Sequence, residues 1–367
     1  MNRSPSARTS VVKFGGSSFA SAYHYRGVAA HLAARVAAGE RLVAVVSGMP
    51  GATENLREIA GGIDPDVPVE ALHGVLPLAD TIGAGLLRVA LNRMGVAVAL
   101  LHGDRTGLRS EGPRDRPSRF TGFDPEPLEA AWTRADVVVL PGGQADDGGV
   151  GPAWLGKNSS DLSATVLAGV LGLDTCEIYS DVDGVYDADP RLIPSARRVP
   201  HLSYDDVVLM GRHGAKVLHP ESVRMAQRHG VRIVCRLNSG GFEAGSVIDA
   251  AIGGADVNAV LIDGRSVVVE FATGAEAEQA RKTLEHSGAS ALLPDQAERE
   301  LVVVSGGFFD VRACLDRHGL AGTITGESLV TEVRGGRARL HVAPSIEAAQ
   351  ELGRLLHTGL PVRMMHG

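Results

Sequence analysis

Aromatic residues are scarce: Phe, Tyr and Trp together make up 4% of the 367 residues. The core must therefore be built mainly from Val, Leu and Ala. Cysteine is rarer still, with Cys176, Cys235 and Cys314 far apart and no C-x-x-C among them. That spacing excludes a disulfide framework and a cysteine zinc site, and it fits a reducing, cytoplasmic compartment. Basic residues are not in excess, since 36 Lys and Arg stand against 43 Asp and Glu for a formal charge of −7. A nucleic-acid partner is not expected, although local lysines and arginines can still gather an anionic substrate. No run approaches the roughly 18 apolar residues of a membrane span, so no membrane partner is expected. Residues 1–10, MNRSPSARTS, are polar with no apolar segment behind them, which reads as a disordered tail.

What is present is a globular composition, 44% hydrophobic and 22% charged, in a chain long enough for two or three domains. From 11 to 250, short apolar runs alternate with helical stretches. Strands are expected at VVKF (11), RLVAVVS (41), VAVALL (96), DVVVLP (136), CEIYSDV (176) and VRIVCRL (231). Helices are expected over 20–38, 51–60, 79–94, 125–134, 160–171, 203–210 and 220–229. The alternation predicts an α/β fold with a mainly parallel sheet covered on both faces. Between Arg109 and Pro127, a stretch dense in Arg, Pro, Gly and Asp reads as an exposed loop or hairpin. Gly- and Ala-rich residues near 240–260 mark a boundary, and beyond it the order strand, helix, strand, strand recurs, as two small α+β units of roughly 50 residues each.

Two segments carry chemistry. In VVKFGGSS (11–18), a β-branched run delivers Lys13 into the Gly15-Gly16 turn, with Ser17 next. Glycines let backbone approach an anion, a following helix can aim free N–H groups at it, and the lysine adds a mobile charge. An ordinary strand-to-helix turn with a solvated lysine explains the same eight residues. In LGKNSSDLSATVLAGVLG (155–172), Ser160 or Asp161 can cap a helix with Lys157 just outside, giving either a second anion site or a plain N-cap. GPAWLGKN nearly matches a phosphate loop, but Asn158 stands where a hydroxyl should meet Mg²⁺. Asp181, Asp183, Asp187 and Asp189 do not keep the spacing of a calcium loop and are read as lining a turn. No residue is assigned as a metal ligand.

KFGGSS (13–18), CEIYSDVDGVYDADPR (176–191) and GAKVLHPESV (214–223) together resemble the aspartate kinases of the amino-acid kinase family, with SGMPGATENL (47–56) and PGGQADDG (141–148) in the right order between them. The resemblance covers about residues 11–250. It implies a three-layer αβα sandwich as catalytic domain, ATP and Mg²⁺ as cofactors, and transfer of the γ-phosphoryl group to the side-chain carboxylate of a small amino acid. By position, Lys13 is the phosphate-stabilising lysine, Gly15 and Gly16 supply backbone donors, and Asp161 organises the catalytic lysines. Ser180, Asp181, Tyr186, Arg191 and Lys216 match nucleotide-contacting positions. Ser17, Ser47, Asp80, Lys157, Asn158 and Ser160 are expected around the acceptor.

The departures cluster on the acceptor side. The family's GRGGSD is GKNSSD here (156–161), so Lys157 replaces an arginine fork, and Asn158 and Ser159 replace glycines. The glutamate that binds the substrate ammonium aligns with Asp80, shorter by one methylene. Residues 259–367 are compatible with the family's paired ACT units, which bind feedback amino acids, and so with a homodimer or higher homo-oligomer. The effector-binding loop is matched only loosely, with Gly274 its one candidate, which favours a degenerate regulatory or dimerisation region that has lost feedback control. Three functions stay open: a kinase of an aspartate-like carboxylate, a kinase of another acceptor such as a hydroxyl or a modified amino acid, and a non-catalytic nucleotide-binding homologue.

Overall fold

The computed structural model describes residues 8–112, 117–149, 152–156, 159–215, 218–250, 257–294, 299–305 and 309–359. The chain divides into two compact units, residues 1–184 with 221–250, and residues 185–220 with 251–367. Residues 185–220, expected within the catalytic domain, thus group with the C-terminal part.

Seven strands of the first unit share one sheet: β1 (Thr9–Phe14), β2 (Arg41–Val46), β3 (Val98–Leu100), β4 (Val137–Pro141), β5 (Thr175–Ser180), β6 (Arg232–Leu237) and β7 (Ala244–Asp249). Their order is β7-β6-β5-β1-β2-β4-β3, parallel except for the antiparallel β6–β7 pair. All six expected strands are present. The first starts earlier than expected, because Thr9 and Ser10 pair with Arg41 and Leu42, so these two residues belong to the sheet rather than to a tail.

Burial on both faces explains why the strands are continuous Val, Leu and Ala runs instead of alternating ones. Val12, Phe14, Leu42, Ala44, Val46, Val137 and Val139 face α1 (Ala22–Ala37) and α4 (Leu78–Arg93), which bring Val28, Leu32, Leu87 and Leu91. The alternate residues, including Lys13, face the other way, where α6 (Ser160–Val170) packs on β1, β2 and β5. This is the expected layering of helix, sheet and helix. Four aromatics of this core stack in pairs, Phe14 on Tyr179 and Phe19 on Tyr25, each pair at 4.4 Å between ring centroids.

Helices α2 (Ala52–Ile63), α3 (Val69–Val75), α5 (Glu126–Trp132) and α8 (Pro220–His229) complete this unit, α3 being unforeseen. The stretch Val69–Arg93 has the length and mean hydropathy of a membrane span, contrary to the sequence expectation. Its apolarity serves the core: Ala79, Gly83, Ala84, Leu87 and Leu91 are buried, while Ile82 and Val89 remain exposed. The Arg109–Pro127 stretch is a hairpin, Leu108–Glu111 with Arg119–Phe123.

The second unit has α7 (Tyr204–Arg212), a two-stranded hairpin of Val185–Tyr186 with Arg198–Val199, and two larger antiparallel sheets. One contains β9 (Val267–Phe271), β10 (Ser290–Leu292), β11 (Glu300–Ser305) and β12 (Thr323–Ile324), with α9 (Gly274–His286) and α10 (Val311–Arg317). The other contains β8 (Ala259–Asp263), β13 (Ser328–Arg334) and β14 (Arg337–Ala343), with α11 (Ile346–Thr358). Two small α+β units compatible with ACT-like modules are present, but they are not consecutive. Strand β8 pairs with β13, Ala259 opposite Val333, so one unit is inserted within the other. The element-order repeat missed this because β8 was not recognised as a strand.

Close approach of α4 to the end of β2 depends on glycine on both sides, since a Cβ at Gly48 would lie 3.0 Å from the Ala79 backbone. A Cβ at Gly83 would lie 2.6 Å from the Ser47 carbonyl oxygen, whereas a Cβ at Gly85 meets nothing within 4 Å. Gly83→Ala should cost about 1–3 kcal/mol by overpacking, and Gly85→Ala should add about 0.5–1 kcal/mol. Chemical denaturation of the two variants checks the opposite signs.

Candidate active site

The first unit gathers its polar residues just beyond the C-terminal ends of its parallel strands, where open α/β sheets place their ligands. Lys13 and Gly15 close β1, Ser47 and Gly48 follow β2, Gly142 follows β4, Ser180 and Asp181 end β5, and Asn238 follows β6. At the centre, Lys13 Nζ lies 2.7 Å from Asp161 Oδ1, the two side chains being 13% and 10% exposed. Lys13 reaches Asp161 because it sits on the α6 face of β1, and Asp161 stands in the first turn of α6, where the helix dipole favours a carboxylate.

Beside this pair, Ser47 Oγ donates to Ser160 Oγ at 2.9 Å. Ser160 and Asp161 are the first helical residues, not the cap. The N-cap is Ser159, and its hydroxyl donates to the Gly156 carbonyl at 2.5 Å instead of capping the helix. Ser160 and Asp161 are therefore free of capping and can face the cleft. Gly142 is bare because Ser160 fills the space a side chain would need.

Gly15 and Gly16 form the expected turn. The Gly15 N–H donates to the Tyr179 carbonyl at 3.2 Å, and Gly16–Phe19 winds one short 3₁₀ turn. A Cβ on Gly15 would lie 3.2 Å from Lys13 Nζ, and one on Gly16 would lie 3.0 Å from the Gly48 carbonyl, so both positions favour glycine. Asn238, which the sequence reading missed, clamps this turn. With its amide oriented to suit its neighbours, the side-chain carbonyl accepts from Ser18 N–H and Ser17 Oγ at 3.2 Å and from Asp181 N–H at 3.3 Å. A polar residue directly after a parallel strand is the signal that could have found it. Ser180 spends its hydroxyl locally, donating to the Val182 carbonyl at 2.8 Å.

Asp80, in the first turn of α4, accepts the Gly48 N–H. Desolvation raises its pKa from the carboxylate range to about 7, against the opposing pull of that hydrogen bond and of Lys13. Gln144, also missed, holds α4 in place: its amide donates to the Pro77 carbonyl at 2.8 Å and to Thr81 Oγ1 at 2.7 Å, while its carbonyl accepts from Gly103 N–H at 2.9 Å.

Behind the turn lies a buried charged network. Glu177 pairs with Arg35 at 2.8 Å and Arg236 at 2.6 Å, and it accepts from the Tyr179 hydroxyl at 2.8 Å. His31 meets that hydroxyl at 3.1 Å, and burial, with Arg35 adding, lowers its pKa to about 4. The neutral ring stacks on Phe242, whose φ of +56° is unusual for a non-glycine, and Arg236 holds the Phe242 carbonyl at 3.1 Å.

Of the remaining candidates, Tyr186 and Arg191 lie in the second unit, where Arg191 pairs with Asp189 at 2.9 Å. Lys157, Asn158 and Lys216 lie outside the described residues.

Comparison with known proteins bears on the family and the fold. A model of the amino acid kinase family matches residues 8–236. The aspartokinase of Corynebacterium efficiens is 31% identical over 258 residues, 69% of this chain and 61% of that protein. That of Mycobacterium tuberculosis is 33% identical over 229 residues, 62% of this chain and 54% of the relative. The chain thus spans about three fifths or less of the length of these relatives. The crystal structure of Escherichia coli aspartokinase III in complex with aspartate and ADP superposes with a TM-score of 0.72 at 16% identity, over 96% of this chain and 99% of that one, a likeness of fold.

Asn238→Ala should release the clamp on the glycine turn. The amides of Ser18 and Asp181 should then exchange hydrogen faster in native-state exchange, by about tenfold for one lost hydrogen bond. Unchanged protection at both would show that Asn238 does not hold them.

Proposed function

The chain belongs to the amino acid kinase family, and from that premise we propose that it transfers the γ-phosphoryl group of ATP to the side-chain carboxylate of aspartate or a close relative. The Lys13–Asp161 pair at 2.7 Å, set beside a glycine turn at the strand ends, is the observation that carries this reading. The aspartokinases matched in sequence support the acceptor class.

In the reaction proposed, a carboxylate oxygen of the acceptor attacks the γ-phosphorus, the bond to the β–γ bridging oxygen breaks, and ADP leaves with that electron pair. Catalysis of such a step rests on positioning and on charge compensation. Lys13 places a positive charge against the transferring phosphoryl oxygens, and Asp161 fixes where that charge sits. Gly15 and Gly16 admit the phosphates to bare backbone. Ser180, Asp181, Tyr186, Arg191 and Lys216 are assigned to the nucleotide. Mg²⁺ enters with the nucleotide substrate, held by phosphate oxygens and water. Ser17, Ser47, Asp80, Lys157, Asn158 and Ser160 are assigned to the acceptor, with Asp80 facing its ammonium group and Lys157 its carboxylate. The C-terminal α+β units are assigned to self-association as a homodimer or higher homo-oligomer.

An ADP-release screen over amino acids and small carboxylic acids tests the reading, with hydroxylamine added to trap an acyl phosphate. Lys13→Ala should still fold, at some cost in stability, and lose at least about a hundredfold in kcat, the scale of removing one preorganised charge. Wild-type turnover in that variant would sink the assignment. For the acceptor, kcat/KM should rise with pH through about 7 as Asp80 ionises and pairs with the ammonium. Asp80→Asn should flatten that limb, and an identical pH profile in the variant would remove Asp80 from acceptor binding.

A further inference from the structure

Asp187 and His357 lie 170 residues apart and meet inside the second unit. Asp187 follows Tyr186 in the hairpin of Val185–Tyr186 with Arg198–Val199, and His357 ends α11. His357 Nε2 lies 3.0 Å from Asp187 Oδ1, with the residues 4% and 7% exposed. An ionised carboxylate only accepts, so Nε2 carries the ring proton, and Nδ1 accepts from Ser195 Oγ at 3.2 Å. The same carboxylate accepts the Arg197 N–H at 2.7 Å and has the Arg197 guanidinium at 3.4 Å. The backbone of Asp187 is equally engaged, its N–H donating to the Arg197 carbonyl at 2.9 Å and its carbonyl accepting the Val260 N–H at 2.8 Å.

Helix α11 is seated tightly enough to act through this contact. A Cβ at Gly353 would lie 2.5 Å from Ile262 Cδ1 and 3.7 Å from Ile193 Cδ1, so that face lies directly against β8 and the 185–199 segment. One helical turn later the same face presents His357. Serine, histidine and aspartate in a row suggest a nucleophilic triad, but the imidazole is too enclosed to serve a substrate. Its two nitrogens are instead spent on holding chain segments together.

We infer that His357 is a positioning residue for nucleotide binding: through Asp187, it holds the segment from Tyr186 to Arg191 in its binding conformation. This rests on the kinase reading and on the assignment of Tyr186 and Arg191 to the nucleotide. A buried carboxylate that loses its imidazole keeps the desolvation cost with only Arg197 to meet it, so the tie between this segment and α11 is gone and the segment is freer to shift toward water. Nucleotide affinity is then a property of the C-terminal helix as well as of the motif that touches the ligand.

The test is calorimetric titration of the full chain with Mg·ADP, beside thermal unfolding. His357→Leu should weaken ADP about tenfold, and His357→Gln, which keeps an N–H donor at similar reach, should recover most of that loss. Leu352→Ala, on the same helix and partly buried in its apolar cluster, should lower Tm and leave the ADP Kd unchanged. Ser195→Ala, at an exposed turn, should fold whatever becomes of the leucine variant and weaken ADP about twofold. A wild-type chain that binds no ADP overturns the kinase reading. Wild-type binding together with undiminished affinity in His357→Leu, or in Ser195→Ala where the leucine variant does not fold, overturns the role of His357 alone. Equal weakening in Leu352→Ala does the same, since it would make the effect one of stability.

Discussion

The ion pair between Lys13 and Asp161 is the constraint around which the first unit is arranged. A lysine in the middle of a sheet protein is costly unless its charge is met, and at 13% exposure water alone does not meet it. Asp161 supplies the counter-charge from the first turn of α6, which fixes the height of that helix against β1. Removing one partner of such a pair costs more than the pair's net stabilising effect, because the charge that stays behind is still shielded from water. The proposed phosphoryl transfer gains from the same arrangement, because the ammonium group is held in place in advance and need not reorganise during transfer.

Support for the pair extends backward through β5. Tyr179 stacks on Phe14 from one side and gives its hydroxyl to Glu177, while its carbonyl receives the Gly15 N–H. Glu177 is neutralised by Arg35 from α1 and Arg236 from β6, so two elements are tied to the strand that carries the Ser180-Asp181 turn. In a chain with so few aromatics, the Phe14, Tyr179 and Phe242 rings are gathered behind the glycine turn rather than spread through the core. Rigidity there keeps the turn, and with it Lys13, from relaxing away from the strand ends.

Much of this was legible in the sequence, for physical reasons. Buried parallel strands are uninterrupted β-branched runs, so all six expected strands were found. Glycine turns show themselves through the residues they exclude, and Lys13, Gly15, Gly16, Ser47, Ser160 and Asp161 do converge. Less legible were contacts made across long sequence separations by ordinary polar residues. PGGQADDG does not distinguish Gln144 from a surface amide, and the strand before Asn238 marks only a place at the sheet's end; the fold alone sets Asn238 across the glycine turn and Gln144 against α4. The nested α+β units were missed for a related reason. Strand β8 is five residues long, and its partner β13 lies 65 or more residues away, with a complete unit between them. Even the cap of α6 was misassigned by one residue, since Ser159, Ser160 and Asp161 all have side chains suited to capping and only the backbone decides between them.

Asp80, proposed to meet the acceptor's ammonium group, differs in kind from the residues proposed for the donor side. On the proposed donor side, Lys13 rests on Asp161 with its charge already met. Asp80 instead accepts the Gly48 N–H and is desolvated enough that its proton is held to about pH 7. An acceptor ammonium must therefore pull Asp80 into its ionised form, so part of the ion-pair energy goes into deprotonation. The shorter side chain compounds this, since bending toward the acceptor would give up the Gly48 hydrogen bond that sets the end of β2. Selectivity at this site follows from that competition. An acceptor whose ammonium reaches Asp80 where it stands keeps both interactions, whereas one that draws the carboxylate outward loses the first to gain the second.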